Sequence, residues 1–232
     1  MSAEVNEMFS RIADRYDLTN RFISLGTDLW VRRRAIEIAD PQPGEDVLDC
    51  AAGTGDLTFM FRDKVGPDAR VVGTDVNRDM LSLADDKARE RDRSDIEWAV
   101  QDVQDLPYAD DAFDITSIAY GVRNVDAPLA ALREMARVTR PGGRVIVLEF
   151  GQPPAPIKPF YWMYNRVAIP IIGGIISGEP RAYRYLQRTS DEFPCGDAFL
   201  DMMRDTDAFD EVEAHRYMFG VNYVYRGDVA SA

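Results

Sequence analysis

The stretch Val47-Leu48-Asp49-Cys50-Ala51-Ala52-Gly53-Thr54-Gly55-Asp56-Leu57-Thr58 decides the fold. A strand-like run, Asp46 to Ala51, passes through two glycines into a helical pattern that begins near Leu57. Glycines at such a turn let backbone N–H groups approach a ligand beside the positive end of a helix. They also suit a strand-to-helix turn with no ligand at all. The third glycine of the dinucleotide fingerprint is missing, so the loop does not advertise a tightly held pyrophosphate.

Outward from this turn, apolar β-branched runs recur between helical patterns: Arg70 to Asp75, Ile96 to Val100, Phe113 to Tyr120 and Arg144 to Phe150. Such alternation predicts a parallel, doubly wound sheet. A helix is expected over 126–139, with Asp126 as candidate N-cap, Pro128 in the first turn, and Leu129, Leu132, Met135 and Val138 at helical spacing. Helices are also expected near 3–16 and 28–40. At the other end, Glu211 to Met218 and Val221 to Arg226 alternate around Phe219-Gly220, which predicts an antiparallel edge hairpin.

The expected fold is therefore α/β and Rossmann-like: a mostly parallel seven-stranded sheet with a C-terminal antiparallel hairpin and helices on both faces. Length and regular spacing predict one domain, 1–232. Within it, 1–45 form a helical roof, 46–150 a cofactor-binding core, 151–190 an apolar insertion, and 191–232 a C-terminal helix and edge hairpin.

The second strand ends at Asp75, about 20 residues beyond Gly55, where a carboxylate can accept the hydroxyls of an adenosine ribose. That contact serves NAD and S-adenosyl-L-methionine alike. Asp102 and Val103 follow the third strand, where an adenine edge is received by a side chain and an amide. Pro141-Gly142-Gly143 is expected as a tight turn before the fifth strand. Together these favour S-adenosyl-L-methionine. The expected cofactor contacts are Tyr16, Asp49, Gly53, Thr54, Gly55, Asp75, Val76, Asp102, Val103 and Ala119. The Thr54 amide would face the methionine carboxylate, and Tyr16 would offer a ring face to the sulfonium. Asp49 and Asp56 also read as helix caps, and Asp102 as a solvated loop acid.

The chain carries 40 carboxylates against 27 basic residues, a net charge of −13, with only Lys64, Lys87 and Lys158 as lysines. Nucleic-acid binding is not expected, because it requires clustered cations. Dense surface carboxylate suggests a halophilic host; an ordinary acidic enzyme is the alternative. Two isolated cysteines, Cys50 and Cys195, and a single histidine, His215, predict neither a disulfide framework nor a metal site. With no signal-like apolar run in 1–30 and no stretch of about 18 apolar residues, a cytoplasmic location is expected.

Several segments together resemble the ubiquinone/menaquinone biosynthesis C-methyltransferase family. They are Met8 to Asn20 with its Tyr16-Asp17 pair, continuing through Ser24-Leu25-Gly26 to Trp30; Leu48 to Thr58; Tyr120-Gly121-Val122-Arg123-Asn124-Val125; Arg137 to Glu149; and Tyr183-Arg184-Tyr185-Leu186. Departures stand at Thr19, Asp28, Arg140 and Gly151, where the family usually has methionine, a nearby histidine, lysine and a nearby serine. The resemblance implies methylation of a ring carbon of a prenylated quinol, with Arg123, Asn124 and Tyr120 as the expected catalytic residues.

Ring-carbon methylation requires the acceptor hydroxyl to lose or share its proton. His215 falls in the expected edge strand, away from the strand ends. Arg123, just past the fourth strand, stays protonated and is expected to stabilise a developing oxyanion or orient a water; a loop-fixing salt bridge is the other reading. Phe160-Tyr161-Trp162-Met163-Tyr164 and the run Val167 to Ile176, broken by Pro170, Gly173 and Gly174, are too short to span a bilayer. They are expected to form a lid over an isoprenoid tail, or simply to pack as core. Transient membrane contact and a homodimer are compatible with this reading. A different acceptor, such as a lipid head-group amine, and a non-catalytic cofactor-binding module remain open alternatives.

Overall fold

The computed structural model describes residues 3–169, 171–172, 174 and 178–231, with side chains at all of these except 3, 4, 160, 165, 168, 180, 181 and 183. The expected roles of Pro170, Gly173, residues 175–176 and the Tyr183 side chain lie outside the described residues.

Two helices, α1 (Ala3–Ser24) and α2 (Thr27–Ala39), precede the sheet. β1 (Val47–Cys50), α3 (Asp56–Val65), β2 (Val71–Asp75), α4 (Arg78–Glu90) and β3 (Glu97–Val100) form the first winding. The chain then crosses to β4 (Phe113–Ala119), a 3-10 turn at Val122–Asn124, α5 (Pro128–Val138) and β5 (Thr139–Phe150). The insertion contains α6 (Lys158–Met163), a π-helical turn at Tyr164–Ala168 and α7 (Pro180–Glu192). α8 (Asp197–Arg204), β6 (Phe209–Tyr217) and β7 (Asn222–Val229) close the fold.

The seven strands lie in the order β3-β2-β1-β4-β5-β7-β6. β1 through β5 pair in parallel, whereas β7 runs antiparallel to both β5 and β6. The Rossmann-like sheet and its terminal hairpin are as the strand pattern predicts. The order reverses between β1 and β4, the place where open α/β sheets bind ligands. Two apolar clusters fill the two faces, and Phe61, Phe113, Ile115, Ile118, Leu132 and Ile146 are among the largest fully buried side chains. Each contributes about 1.5–3 kcal/mol relative to exposure. That core fixes the strand ends around the reversal.

Three local expectations are corrected. The first helix extends to Ser24, because Tyr16, Ile23 and their neighbours keep an apolar face that packs on the insertion through Met8, Ile12, Ala182 and Leu186. The N-cap of α5 is Ala127, not Asp126; Pro128 at the first position sets the start through its fixed φ, with no side-chain cap. β5 begins at Thr139, and Pro141-Gly142-Gly143 is an irregularity inside it instead of a turn before it. Phe113 faces Thr139 while Ile115 faces Arg144, so the extra residues loop out around Gly142 at φ +75°.

Candidate active site

The loop after β1 turns on Ala51 and Gly53, both at positive φ (48° and 57°). A Cβ on Gly53 would meet nothing within 4 Å, because that side of the loop faces open space. Gly55 has the opposite reason to lack a side chain. Its Cβ would lie 2.6 Å from the Trp98 ring, so the close approach of α3 to the sheet requires glycine there.

Asp75 ends β2 beside this loop. Its two carboxylate oxygens accept the backbone N–H of Gly53 (2.9 Å) and of Asn77 (2.8 Å). Burial raises its pKa, while the N–H groups of Asn77, Gly53 and Val76 pull against that rise. Asp49 lies deeper, 1% exposed, accepting hydroxyls from Ser117 on β4 (2.7 Å) and Thr58 on α3 (2.6 Å). Burial pushes its carboxyl up to about 6 against those two bonds and the nearby Arg32 charge. Asp49 thus ties α3 and β4 under the glycine loop from below.

The sign of that shift gives a test. Between 3.8 and about 6 the folded protein holds a proton that the unfolded chain releases, so stability falls as pH rises through this window. The limiting slope is about 1.4 kcal/mol per pH unit. Urea midpoints measured across the window are expected to fall less steeply in Asp49→Asn than in the wild type; equal slopes would remove Asp49 as the source.

A cleft of about 90 Å³ opens above Asp75. Of the residues expected at the cofactor, Tyr16, Gly53, Asp75, Val76, Asp102, Val103 and Ala119 line it. Tyr120 and Asn124, expected at the reacting end, line it as well. Asp49, Thr54 and Gly55 stand behind this wall. The Thr54 hydroxyl donates to Asp17 of α1 (2.6 Å), and Lys87 of α4 donates to both Asp17 (2.5 Å) and the Thr54 carbonyl (2.9 Å). Asn77 Nδ2 donates to Asn6 Oδ1 (2.6 Å), also from α1. These contacts hold α1 across the cleft as its roof, with Phe9 and Tyr16 facing inward.

A second cavity, about 360 Å³, adjoins the first and shares Tyr16 and Tyr120 with it. Its wall is mainly apolar and aromatic: Ile23, Phe150, Tyr161, Tyr164, Ile169 and Leu186 contribute. The insertion is pinned there by the Tyr164 hydroxyl donating to the Ile23 carbonyl (2.6 Å) and the Tyr185 hydroxyl donating to Asn124 Oδ1 (3.2 Å). Charged groups are few, Asp28, Arg32 and Arg123, and Asn20, Gln187 and Asn222 are among the neutral polar ones.

Tyr120 stands between the cavities at φ +57°, a conformation unusual for a side-chain-bearing residue and one that aims it off the end of β4. Its hydroxyl donates to Asn222 Oδ1 (2.9 Å), and burial raises its pKa well above the ordinary tyrosine value. At neutral pH it therefore remains protonated. The Arg123 side chain is 3% exposed; its Nη1 donates to Glu149 (2.5 Å) and to the Tyr120 carbonyl (2.8 Å). Burial raises the Glu149 carboxyl, but the adjacent guanidinium and the Phe150 N–H oppose this, and at 2.5 Å the two groups stand as an ion pair. His215, on edge strand β6 with Glu213 3.0 Å away, lines neither cavity.

Sequence reasoning missed Arg32, Glu149 and Asn222 as site residues. Arg32 lies in the run Arg32-Arg33-Arg34, which reads as a solvated face. One signal was present: Asp28 and Ile36 stand one turn away on either side, and Ile36 is buried, so helical spacing puts Arg32 beside the buried stripe.

The arrangement fits S-adenosyl-L-methionine: a carboxylate at a ribose position, an open face at Gly53, and aromatic side chains at the mouth toward the larger cavity. A description of the ubiE/COQ5 methyltransferase family matches residues 1–228. The ubiquinone/menaquinone biosynthesis C-methyltransferase UbiE of Bdellovibrio bacteriovorus is 45% identical over 226 residues, 97% of this chain and 95% of the relative. The demethylmenaquinone methyltransferase of Thermus thermophilus is 42% identical over 95% of this chain and 99% of its own. Among solved structures, a SAM-dependent methyltransferase from Thermotoga maritima superposes with a TM-score of 0.67 at 18% identity, covering 97% of this chain and 99% of that one.

Proposed function

The chain belongs to the ubiE/COQ5 methyltransferase family, is an S-adenosyl-L-methionine-dependent methyltransferase, and, we propose, methylates a ring carbon of a prenylated quinol in menaquinone biosynthesis. The observation that carries this reading is the apolar chamber of about 360 Å³ that meets the cofactor cleft at Tyr16 and Tyr120. A flat aromatic ring can lie against those two side chains, and an isoprenoid tail can continue past Ile23, Ile169 and Leu186. Demethylmenaquinol is taken as the acceptor because the names of the Bdellovibrio and the Thermus relatives both include menaquinone, whereas only the first includes ubiquinone.

The bound cofactor supplies an electrophilic methyl group. Gly53, Asp75, Val76, Asp102 and Val103 would hold its nucleoside part, and Tyr16 would shield its charged end from water. Tyr120 and Asn124 orient the ring at the junction of the cavities, and the rest of the rate comes from holding carbon and methyl group in line. Tyr120 is a poor proton acceptor, since its hydroxyl stays protonated and already donates to Asn222. The described lining of the chamber includes the cations Arg32 and Arg123, whose charge would favour the ionised form of the acceptor.

No helix among the described residues is long and apolar enough to cross a membrane. Yet Phe22, Leu25, Trp162, Met163, Ile171, Met218 and Phe219 are exposed, and α1 with the turn after it, the insertion and the hairpin, which carry them, all contribute to the chamber wall. The reading has this rim touch a bilayer surface while the tail enters. The insertion would then act as the lid.

The test is incubation of the purified protein with methyl-labelled S-adenosyl-L-methionine and chemically reduced demethylmenaquinone, delivered in neutral vesicles and in detergent, at low and at molar KCl. Label in the quinone fraction, more from vesicles and more at high salt, is the expected result. Absence of label in every condition defeats the proposed acceptor.

A further inference from the structure

We propose that Arg32 binds the oxygen anion of the acceptor during transfer; the inference rests on the phenolic acceptor proposed above. The side chain lines the chamber from α2, with its guanidinium 5.1 Å from the centre of the Tyr120 ring. Its Nε and Nη1 are buried and have no hydrogen-bond partner among the described residues. Buried guanidinium N–H groups without a partner are costly, so a site that keeps them is built for something that enters it.

The neighbouring acids are already engaged. Asp28, on the same helix, is held by Arg21 and accepts the Ser24 hydroxyl (2.7 Å). Asp56 at the start of α3 pairs with Arg21 (2.7 Å) and lies 3.8 Å from Lys87. Asp49 on β1 accepts Thr58 and Ser117. Arg123, across the chamber on the loop after β4, is paired with Glu149 of β5. Of the two arginines that line the chamber, Arg123 has its charge matched by Glu149, whereas Arg32 has no acidic partner within salt-bridge distance among the described residues and keeps two unmatched donors beside the residue shared with the cofactor cleft.

An oxygen that loses its proton there gains charge-assisted hydrogen bonds from Nε–H and Nη1–H, which favours the ionised acceptor. The proton leaves to solvent; Arg32 keeps its own. The ring carbon then carries the electron density that the methyl group needs, and the new carbon–carbon bond forms as the carbon–sulfur bond of the donor breaks. The carbon's hydrogen departs as a proton when the ring regains aromaticity.

Arg32→Gln and Arg32→Lys provide the test. Arg32→Gln is expected to lower kcat by roughly 100-fold or more, with cofactor affinity unchanged, as for loss of an oxyanion donor. Its kcat–pH profile should shift to higher pH, and Arg32→Lys should restore part of both. The second readout needs neither cofactor nor turnover. 4-Nitrophenol, whose anion absorbs in the visible, should titrate in the wild-type chamber at a pH lower by about one unit than in buffer. Arg32→Gln should abolish that difference.

A wild-type titration like that in buffer, or one that survives in Arg32→Gln, overturns the inference. So does loss of turnover in Arg32→Gln with an unmoved pH profile, since that is the mark of a structural role. Arg32→Lys, which keeps the charge, covers the case in which the glutamine variant does not fold. If the wild type fails to methylate any quinol but the nitrophenol shift depends on Arg32, the quinol reading fails and the anion site stands.

Discussion

Asp75→Ala is expected to weaken S-adenosyl-L-methionine binding by about a hundredfold or more. The carboxylate sits at the end of β2 beside the cleft, and the nucleoside hydroxyls would donate to it. Hydrogen bonds to a charged group contribute about 1.5–3 kcal/mol each, and two such contacts at the low end already give this factor. The substitution also removes the acceptor for the Gly53 and Asn77 N–H groups, so the glycine loop loses its anchor. Calorimetric titration with the cofactor measures the effect, with far-UV circular dichroism as the check on folding. Asp75→Asn, which keeps one carbonyl oxygen, should fall between. Binding within threefold of the wild type in the alanine variant would refute the ribose assignment.

The second large effect belongs to stability. Glu149→Ala strands the buried Arg123 charge, and breaking such a pair from one side costs about 3–5 kcal/mol. For a chain of this length that is a fall in Tm of roughly 6–20 °C, readable by scanning calorimetry. The double variant Arg123→Met/Glu149→Leu removes both charges and is expected to recover most of the lost stability, because well-packed apolar groups replace a buried pair at little or no cost. Turnover should not return with it. The guanidinium also holds the Tyr120 carbonyl at 2.8 Å, and with it the strained turn that aims Tyr120 between the cavities. A double variant as active as the wild type would show that Arg123 serves the loop less than this geometry implies.

The sequence offers two readings of Arg123, an oxyanion stabiliser and a loop-fixing salt bridge. The structure supplies the salt bridge directly. It leaves Nε of Arg123 buried and unpartnered, so a contact with the acceptor from that atom is compatible with the pair. Arg32 nevertheless has more to offer an anion, because among the described residues no acid pairs with it and both its Nε and Nη1 are unmatched.

What the sequence determined by itself was the local grammar. The period of two in the strands, the glycines at the β1–α3 turn and the acid at the end of β2 are short-range constraints, legible because backbone geometry and side-chain alternation act over a few residues. They yielded the sheet, its terminal hairpin and the cleft-lining Gly53, Asp75 and Asp102, whereas Tyr16 was named for its ring chemistry and Tyr120 and Asn124 through the family resemblance. The Pro141-Gly142-Gly143 turn was misplaced, because whether a glycine pair ends a strand or bulges within it depends on the neighbouring strand's register.

Only the tertiary structure decided which charges were spent. Arg123 and Glu149, Thr54 and Asp17, and Tyr120 and Asn222 are pairs distant in the chain, and no periodicity announces them. Burial then sets their worth: a guanidinium at the surface is one more solvated cation, whereas the same group inside a wall with its N–H donors unmatched is a binding site. Arg32 changed from the first kind to the second when α2 packed against the strand ends, since desolvation and partner choice belong to the folded neighbourhood and not to the residue.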